Sequence, residues 1–287
     1  MKLNTKRTML VGLAFLSICI FWQMYDSVMT LILTDTFHLN ETIAGAVMAA
    51  DNVLALFLLP LFGALSDKTN TRIGRRMPYI IGGTAAAVVL MNLLPVLDNA
   101  YAASPSPLIL GLFIAALALL LVAMGVYRSP AVALMPDVTP KPLRSRGNAV
   151  INLMGAVGGI LYLALAAVLY PASRKVAGHV DYQPLFIIVS LIMAVSVLVL
   201  ALTVKEKRLS EENRALEKQH PDWNLAAKDE SGNEVLPKEV KRSLTFLLAS
   251  ISLWFIAYNG VTTWFTKYIE LSLIHISEPT RLLSISY

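Results

Sequence analysis

Long apolar runs dominate this sequence and restrict what it can fold into. Runs long enough to cross a hydrocarbon core, which takes about 20 helical residues, occur at residues 9–33, 43–65, 77–97, 108–126, 149–170, 185–204 and 244–264. Hydrophobic residues make up 56% of the chain and charged residues only 15%, too few to cover a water-soluble globule of this composition. The sequence therefore predicts an all-α, polytopic membrane protein with seven spans.

The distribution of positive charge predicts how the chain is oriented. Lys and Arg collect before the first span, between the second and third, between the fourth and fifth, and after the sixth. The alternate segments between spans carry only Arg174 and Lys175. Because cytoplasmic loops of membrane proteins are enriched in positive charge, we expect a multi-pass plasma-membrane protein whose amino terminus is cytoplasmic.

One long polar segment divides the spans. In residues 205–243, nine Lys or Arg are balanced by nine Asp or Glu. We predict an amino-terminal six-helix transmembrane bundle over residues 1–204, a charged cytoplasmic linker over 205–243, and a further helix over 244–270. Residues 211–218 predict a short exposed helix within the linker. Because the charges cancel, a solvated linker is favoured over an element that binds lipid or a partner.

The last residues do not resemble the rest of the chain. Residues 271–281 back-translate to DNA that is similar to the transposase adaptor used in sequencing libraries, and residues 282–287 fit an index followed by the next adaptor segment. We therefore expect residues 271–287 to be a non-native, adaptor-derived tail and the natural sequence to diverge near Glu270, in a truncated chain. A genuine amphipathic tail is the alternative.

A glycine, an aspartate and a cluster of arginines lie between the second and third spans. The segment reads GALSD at residues 63–67 and RIGRR at residues 72–76. Gly63 permits close helix approach, and guanidinium groups can pair with Asp67 and with carbonyls at neighbouring helix ends. Such a cluster can latch helix bundles in one conformation and release them in another. Topological anchoring by positive charge explains the arginines but not the glycine and aspartate.

This segment resembles the signature between helices two and three of the major facilitator superfamily. Four extra residues after Asp67, and Pro78 at the start of the next helix, resemble sucrose–proton and related glycoside–cation symporters. Residues 127–148 resemble the stretch between helices four and five of the sucrose branch, from which Pro130 and Pro136 depart. The resemblance implies twelve helices in two halves, with alternating access to a central cavity. The candidate gating residues are Gly63, Asp67, Arg72, Gly74, Arg75, Arg76, Arg128, Asp137, Arg144 and Arg146. For Arg128 and Asp137, a coupling pair is the alternative to a gate.

Asp26 and Asp51 are the acids that lie well inside the predicted spans. An ionised carboxylate at mid-membrane costs roughly 2.5 to 3.5 kcal/mol on insertion scales, so it needs a reason to be there. Gln23, Asp26 and Thr30 fall on one helical face, suited to a water-filled cavity. Asp26 is a candidate proton carrier or hydroxyl ligand, with a structural carboxylate as the alternative. Asp51, beside Asn52, could equally serve binding or helix-to-helix hydrogen bonding.

Other candidates have simpler alternatives. Tyr258 and Asn259 cluster with Trp254 in the seventh span, which the resemblance places beside the cavity, whereas an interfacial aromatic belt is the alternative. Gly155 and Gly159 in the fifth span favour a packing seam. Asn40 matches a glycosylation acceptor by pattern, but a helix N-cap is the preferred interpretation.

Together, these features favour a secondary active transporter that couples symport of a sugar or glycoside to protons by alternating access. The expected partners are a small-molecule substrate, a coupling proton and membrane lipid, with no nucleic acid, cofactor or metal. An exporter of amphipathic compounds and a membrane sensor without transport are the alternatives. We expect no enzyme activity, because none of the four His is placed inside a predicted span as a catalytic base.

Overall fold

Seven long helices and one short one make up most of the computed structural model, which describes residues 3–170, 179–220, 223 and 238–277. They are α1 (Thr5–Met24), α2 (Glu41–Lys68), α3 (Met77–Ala103), α4 (Pro107–Val138), α5 (Arg144–Leu169), α6 (Gln183–Thr203), the short α7 (Glu206–Gln219) and α8 (Lys238–Ser277). The described residues contain no strand. All seven long helices are apolar and long enough to cross a membrane, which confirms the predicted all-α, multi-pass fold.

Some predicted segments lie outside these limits. Arg174 and Lys175, residues 224–237 of the predicted linker and residues 278–287 of the predicted tail are outside the described residues. Residues 271–277 continue α8.

Two π-helical segments extend α1 beyond Met24. They span Tyr25–Met29 and Ile32–Thr36, so the first apolar span runs from Thr5 to Thr36. A π turn accommodates an extra residue, which rotates the side chains that follow, and such turns are frequent at functional sites. Asp26 lies in the first of these segments. The π geometry therefore sets which way the polar residues of this helix face.

Two helix starts follow the sequence closely. The Asn40 side chain accepts a hydrogen bond from the backbone N–H of Ile43 at 2.8 Å, so the predicted N-cap of α2 is confirmed. Pro78 lies in the first turn of α3, where its missing N–H costs no helical hydrogen bond.

The fourth helix is longer than its apolar run. We predicted a span over residues 108–126, but α4 continues through Arg128, Pro130 and Pro136 to Val138. Next to the first of these prolines, the Ser129 hydroxyl donates to the Leu59 carbonyl of α2 at 2.8 Å, which ties this part of α4 to α2. The predicted end of the span was therefore too early, and Arg128 lies inside a helix rather than near its end.

The first helix forms the centre of the bundle. It packs against α4, α5 and α6, while α3 packs against α4 and α6, and α2 against α4. Large side chains of the first span, including Phe21 and Tyr25, are fully buried. By contrast, α2 and α5 keep apolar side chains such as Phe57 and Ile160 exposed. Burial is thus concentrated on the helix that carries Asp26.

Glycines allow the closest helix contacts. A Cβ atom on Gly83 of α3 would lie 2.9 Å from the backbone nitrogen of Tyr127 in α4. On α5, Gly158 lies against the Leu16 carbonyl of α1, and a Cβ on Gly155 would lie 2.9 Å from the Cys19 sulfur. Small residues let helix backbones approach in this way. The predicted packing role of Gly155 is therefore confirmed.

Adjacent glycines on α3 provide a test of this packing. Gly83→Ala forces a methyl group against the Tyr127 backbone, whereas a Cβ on Gly82 meets no atom within 4 Å. Overpacking costs about 1–3 kcal/mol, so we expect Gly83→Ala to lower the melting temperature of the detergent-purified chain by several degrees and Gly82→Ala to leave it unchanged or slightly raised. Equal melting temperatures would contradict the close α3–α4 contact.

Candidate functional site

A buried arginine links three helices at the end of the bundle where α1 begins. We refer to this end, which holds Asp67, Arg76, Asp137 and Arg144, as the basal end. Arg76 is only 5% exposed. Its Nε donates to Asp137 Oδ2 at 2.9 Å, its Nη1 to Ser66 Oγ at 2.5 Å, and its Nη2 pairs with Asp67 Oδ1. The guanidinium therefore connects the start of α3 to the ends of α2 and α4.

Two further candidates complete this cluster. Arg75 Nη2 lies 3.1 Å from Asp137 Oδ2, so both arginines share one carboxylate. The Gly63 carbonyl accepts from Arg76 Nη1 at 3.3 Å. The structure thus brings together five of the ten gating candidates: Gly63, Asp67, Arg75, Arg76 and Asp137. Charge-assisted hydrogen bonds of this kind are stronger than neutral ones.

The sequence analysis missed an acid that is central to the basal end. Glu206, at the start of α7 and 1% exposed, accepts hydrogen bonds from the backbone N–H groups of Arg75, Arg76 and Met77 at 2.8–2.9 Å. A carboxylate at a helix N-terminus satisfies free donors and interacts favourably with the helix dipole. The sequence feature that could have pointed to Glu206 is its position directly after the last apolar run of the bundle.

Gly74 is explained by the same carboxylate. Its φ of 131° lies where side chains are rarely tolerated, and a Cβ there would collide with the Glu206 side chain. The Thr71 hydroxyl donates to the Gly74 carbonyl at 2.5 Å and holds the turn. Gly74 therefore lets the α2–α3 turn present its N–H groups to Glu206.

The short helix α7 is docked along the basal end. Asn213 Nδ2 donates to the carbonyls of Asp137 and Thr139 at 3.1 and 3.3 Å, and Glu217 Oε1 accepts from Arg144 Nη2 at 2.8 Å. Glu206, Ser210 and Asn213 are buried. The short helix predicted within the linker is present, but it is docked on the bundle through three buried residues instead of being fully solvated. Equal numbers of acidic and basic residues in the linker do not reveal whether the polar residues that make these contacts share one face of α7.

The remaining gating candidates lie apart from the Arg76 cluster. Arg72 and Arg146 are exposed. Arg144 joins the basal end through Glu217 and the Thr139 carbonyl, the latter at 3.2 Å. Arg128 lies deeper in α4, with its guanidinium carbon 5.4 Å from the centre of the Trp22 ring.

A second polar region lies near the middle of the long helices. Trp22 of α1, Asp51 of α2 and Arg128 of α4 line a small cavity of about 20 Å³ whose other walls are mostly leucine. Asp51 Oδ1 accepts from the backbone N–H and the Nδ2 of Asn52, at 2.6 and 2.8 Å. Asp26 is close enough to interact electrostatically with Asp51. The two acids and the arginine thus form one charged group, which we call the midspan cluster: Asp26, Asp51 and Arg128.

The predicted polar face of α1 is only partly open. Gln23 and Asp26 are partly exposed, and Gln23 Oε1 points toward Gly159 of α5, whereas Thr30 is 1% exposed. Thr30 thus faces the interior of the bundle and does not share the exposure of Asp26.

The seventh-span candidates lie on α8, which approaches the Tyr25–Met29 segment. Tyr258 is 48% exposed and stacks on Trp254 with ring centres 5.3 Å apart, and Asn259 is also exposed. Trp264 lies beside Gly45 of α2. The structure thus places α8 near the π segment that holds Asp26, with its aromatic side chains largely uncovered.

Chemically, the midspan cluster offers groups that bind and release protons and groups that bind polar solutes. Carboxyl groups exchange protons, amides such as Gln23 and Asn52 pair with hydroxyl groups, and an indole ring offers an apolar face. The basal end offers a set of ion pairs and helix caps instead. The two regions therefore differ chemically: partly exposed polar groups lie at and beside the midspan cluster, whereas paired ions and helix caps make up the basal end.

The chain is similar to known proteins. A family model described as Major Facilitator Superfamily matches residues 11–287. The chain is also 35% identical over 83 residues to the protein named "Putative transporter YdfJ" from Escherichia coli (strain K12). That stretch covers 29% of this chain and 18% of the length of YdfJ. No solved structure matches the chain.

The basal cap can be tested with two glutamates of α7. Glu206→Gln removes the charge that three backbone donors share, so we expect a loss of about 1–3 kcal/mol and a lower melting temperature in detergent. Glu212→Gln is the matched control, because Glu212 is 50% exposed and pairs only with Arg208 at 2.7 Å. A Glu206→Gln variant as stable as the control would show that the cap contributes nothing.

Proposed function

Because this chain belongs to the Major Facilitator Superfamily, we propose that it is part of a secondary transporter that moves a sugar or glycoside together with protons. The family supports transport of a small molecule across a membrane by a multi-pass protein. The nature of the solute, the proton coupling and the alternating-access cycle are our proposal. The midspan cluster is the observation that carries it.

Charge in the middle of apolar helices supports a transport site. In the first span, the acids are Asp26 and, near its far end, Asp35. In α2, Asp51 is the one acid away from the first and last turns. In lipid such groups are costly, and they usually face a bundle interior or an aqueous path. Both side chains are partly exposed at a cavity or beside it. A water-accessible proton site explains this placement better than structural pairing does.

The sugar assignment rests on the groups around these acids. Gln23 and Asn52 provide amides, Asp26 and Asp51 carboxylates, and Trp22 an aromatic ring. This mixture matches hydroxyl groups on one side of a sugar ring and its apolar face on the other. The resemblance of the α2–α3 turn to sucrose–proton and glycoside–cation symporters favours the same class.

Solute transport is coupled to proton transport if protonation changes which of the two states, open to one side of the membrane or to the other, is more stable. A ligand shifts a conformational equilibrium only by its differential affinity for the two states. We propose that a proton on Asp26 and a bound solute together stabilise the state that can close and reopen on the other side. The Arg76 cluster would hold the basal end in one state and release it in the other.

Orientation and domain division complete the proposal. The basal end carries most Lys and Arg of the described loops, so the positive-inside rule places it and the amino terminus in the cytoplasm of a plasma-membrane protein. Residues 1–204 form the amino-terminal bundle, 205–243 a linker that begins with the docked α7, and 244–270 the first helix of a second bundle. Tyr258 and Asn259 would then face the cavity from that second bundle.

Uptake of a labelled disaccharide tests the transport class. The transporter that contains this chain should accumulate it in cells, and dissipating the proton gradient should abolish accumulation. Lower cellular content of the label in energised cells than in de-energised cells would instead indicate an exporter. Absence of any flux, with binding retained, would favour a sensor.

The role of Asp26 makes a sharper prediction. Asp26→Asn keeps the shape of the side chain but cannot carry a proton, so accumulation should fall to a ratio of ~1 while solute exchange at equal concentrations persists. Asp35→Asn, the same change at an exposed site of the same span, should accumulate normally. The measurement is radiolabel uptake and counterflow in proteoliposomes. Full accumulation by Asp26→Asn would remove Asp26 from the mechanism.

A further inference from the structure

A buried carboxylate lies at the end of the bundle opposite the basal end. Asp98, near the end of α3, has no exposed surface. Neither of its carboxylate oxygens has a hydrogen-bond partner among the described residues. An ionised carboxylate in such surroundings is costly unless a cation compensates its charge. We call this end, which holds Thr36, Asp98, Asn99 and His179, the outer end.

His179 is the group that can supply this compensation. Its Nε2 lies 3.7 Å from Asp98 Oδ2, and its side chain is 26% exposed, so the ring reaches water while it lies beside the buried acid. The ionisable groups of the described chain that act on Asp98 are His179 and Asp181, and Asp181 carries a like charge. Within these residues, His179 is therefore the available cation for Asp98.

Hydrogen bonds on both ring nitrogens fix the position of His179. Asn99 Nδ2 donates to Asp181 Oδ1 at 2.8 Å, so Asn99 Oδ1 faces the ring and accepts from Nε2 at 2.7 Å. Nε2 therefore carries a hydrogen whether the ring is neutral or charged. Nδ1 lies 3.3 Å from the Thr36 hydroxyl, which donates to a neutral ring and accepts from a charged one. A proton on Nδ1 thus adds charge beside Asp98 without breaking a hydrogen bond.

These contacts join the outer end of the first span to α3. Thr36 ends the second π segment of the first span, whereas Asp98 belongs to α3. The next residue, Phe37, packs on Tyr101 of α3 with ring centres 4.5 Å apart. This aromatic contact does not depend on pH. The bridge through His179 does, because histidine side chains ordinarily change charge between about pH 5 and 8.

We propose that His179 and Asp98 form a proton-sensitive clamp, which fastens the outer end of the first span to α3 when the medium on that side is acidic. A charged ring is attracted to Asp98 and a neutral ring is not, so lowering the pH favours the arrangement in which the two are adjacent. In the orientation proposed above this side is exofacial. The clamp therefore responds to external pH separately from the coupling proton on Asp26.

Hydrogen–deuterium exchange of the detergent-purified transporter that contains this chain tests the clamp without solute or a proton gradient. The backbone N–H groups of Phe37 and Leu39 donate within the first span at 3.1 and 3.0 Å and report on its outer end. After correction for intrinsic rates, we expect amides of residues 32–39 to exchange about tenfold more slowly at pH 6 than at pH 8. His179→Gln keeps neutral hydrogen bonds but cannot become charged, so it should exchange equally at both pH values.

Two further variants separate the clamp from a general effect of pH. His38 is an exposed histidine of the same end, with a φ of 52° that asparagine tolerates, so His38→Asn should keep the full pH response. Asp98→Asn keeps the shape of the buried side chain but removes its charge, and it should lose the response. If Asp98→Asn does not fold, wild type and His179→Gln decide. Equal exchange of wild type at both pH values, or a response that persists in His179→Gln, would overturn the inference.

The clamp and the proposed function can fail separately, because exchange reports on the first and solute uptake on the second. A response that His179→Gln removes, in a protein without proton-coupled uptake, would support the clamp and contradict symport. A response that Asp26→Asn abolishes and His179→Gln retains would place the proton sensor in the midspan cluster and overturn the clamp.

Discussion

A charged side chain inside an apolar bundle has to be either paired or hydrated, and this requirement distinguishes the charged residues of the basal end from those of the midspan cluster. At the basal end, Arg76 is buried and saturated by Asp67, Asp137 and Ser66, and the adjacent backbone donors are taken by Glu206. The packing of α2, α3, α4 and α7 at this end depends on those contacts. At this end, removing one partner leaves the others buried without compensation.

The midspan cluster meets the same requirement differently. Asp51 acts electrostatically on both Asp26 and Arg128, but these three residues form no ion pair within the described part of the chain. They lie at a small cavity and on a helix whose regular turn is interrupted by a π segment. Groups held near one another without saturation can change partners or protonation at low cost. This property suits a site that has to bind and release.

Much of this arrangement was predictable from the sequence because hydrophobic length and turn chemistry act locally. The seven spans follow from apolar runs, Asn40 from capping preference, and the grouping of Arg76 with Asp67 from their spacing. Contacts between distant segments were not predictable. Charge composition could not indicate that Glu206 caps α3, and apolar length could not show α4 passing through Arg128. Helical periodicity put Thr30 on the face of Asp26 but could not show that Thr30 is buried by its neighbours.

The central claim is that solute and proton cross the membrane together through the midspan cluster. Its most direct test uses proteoliposomes without an imposed proton gradient, in which an inward solute gradient drives transport while the external pH is recorded. The account predicts that solute entry makes the external medium more alkaline, and that a protonophore abolishes this pH change. Solute entry with no movement of protons would contradict it.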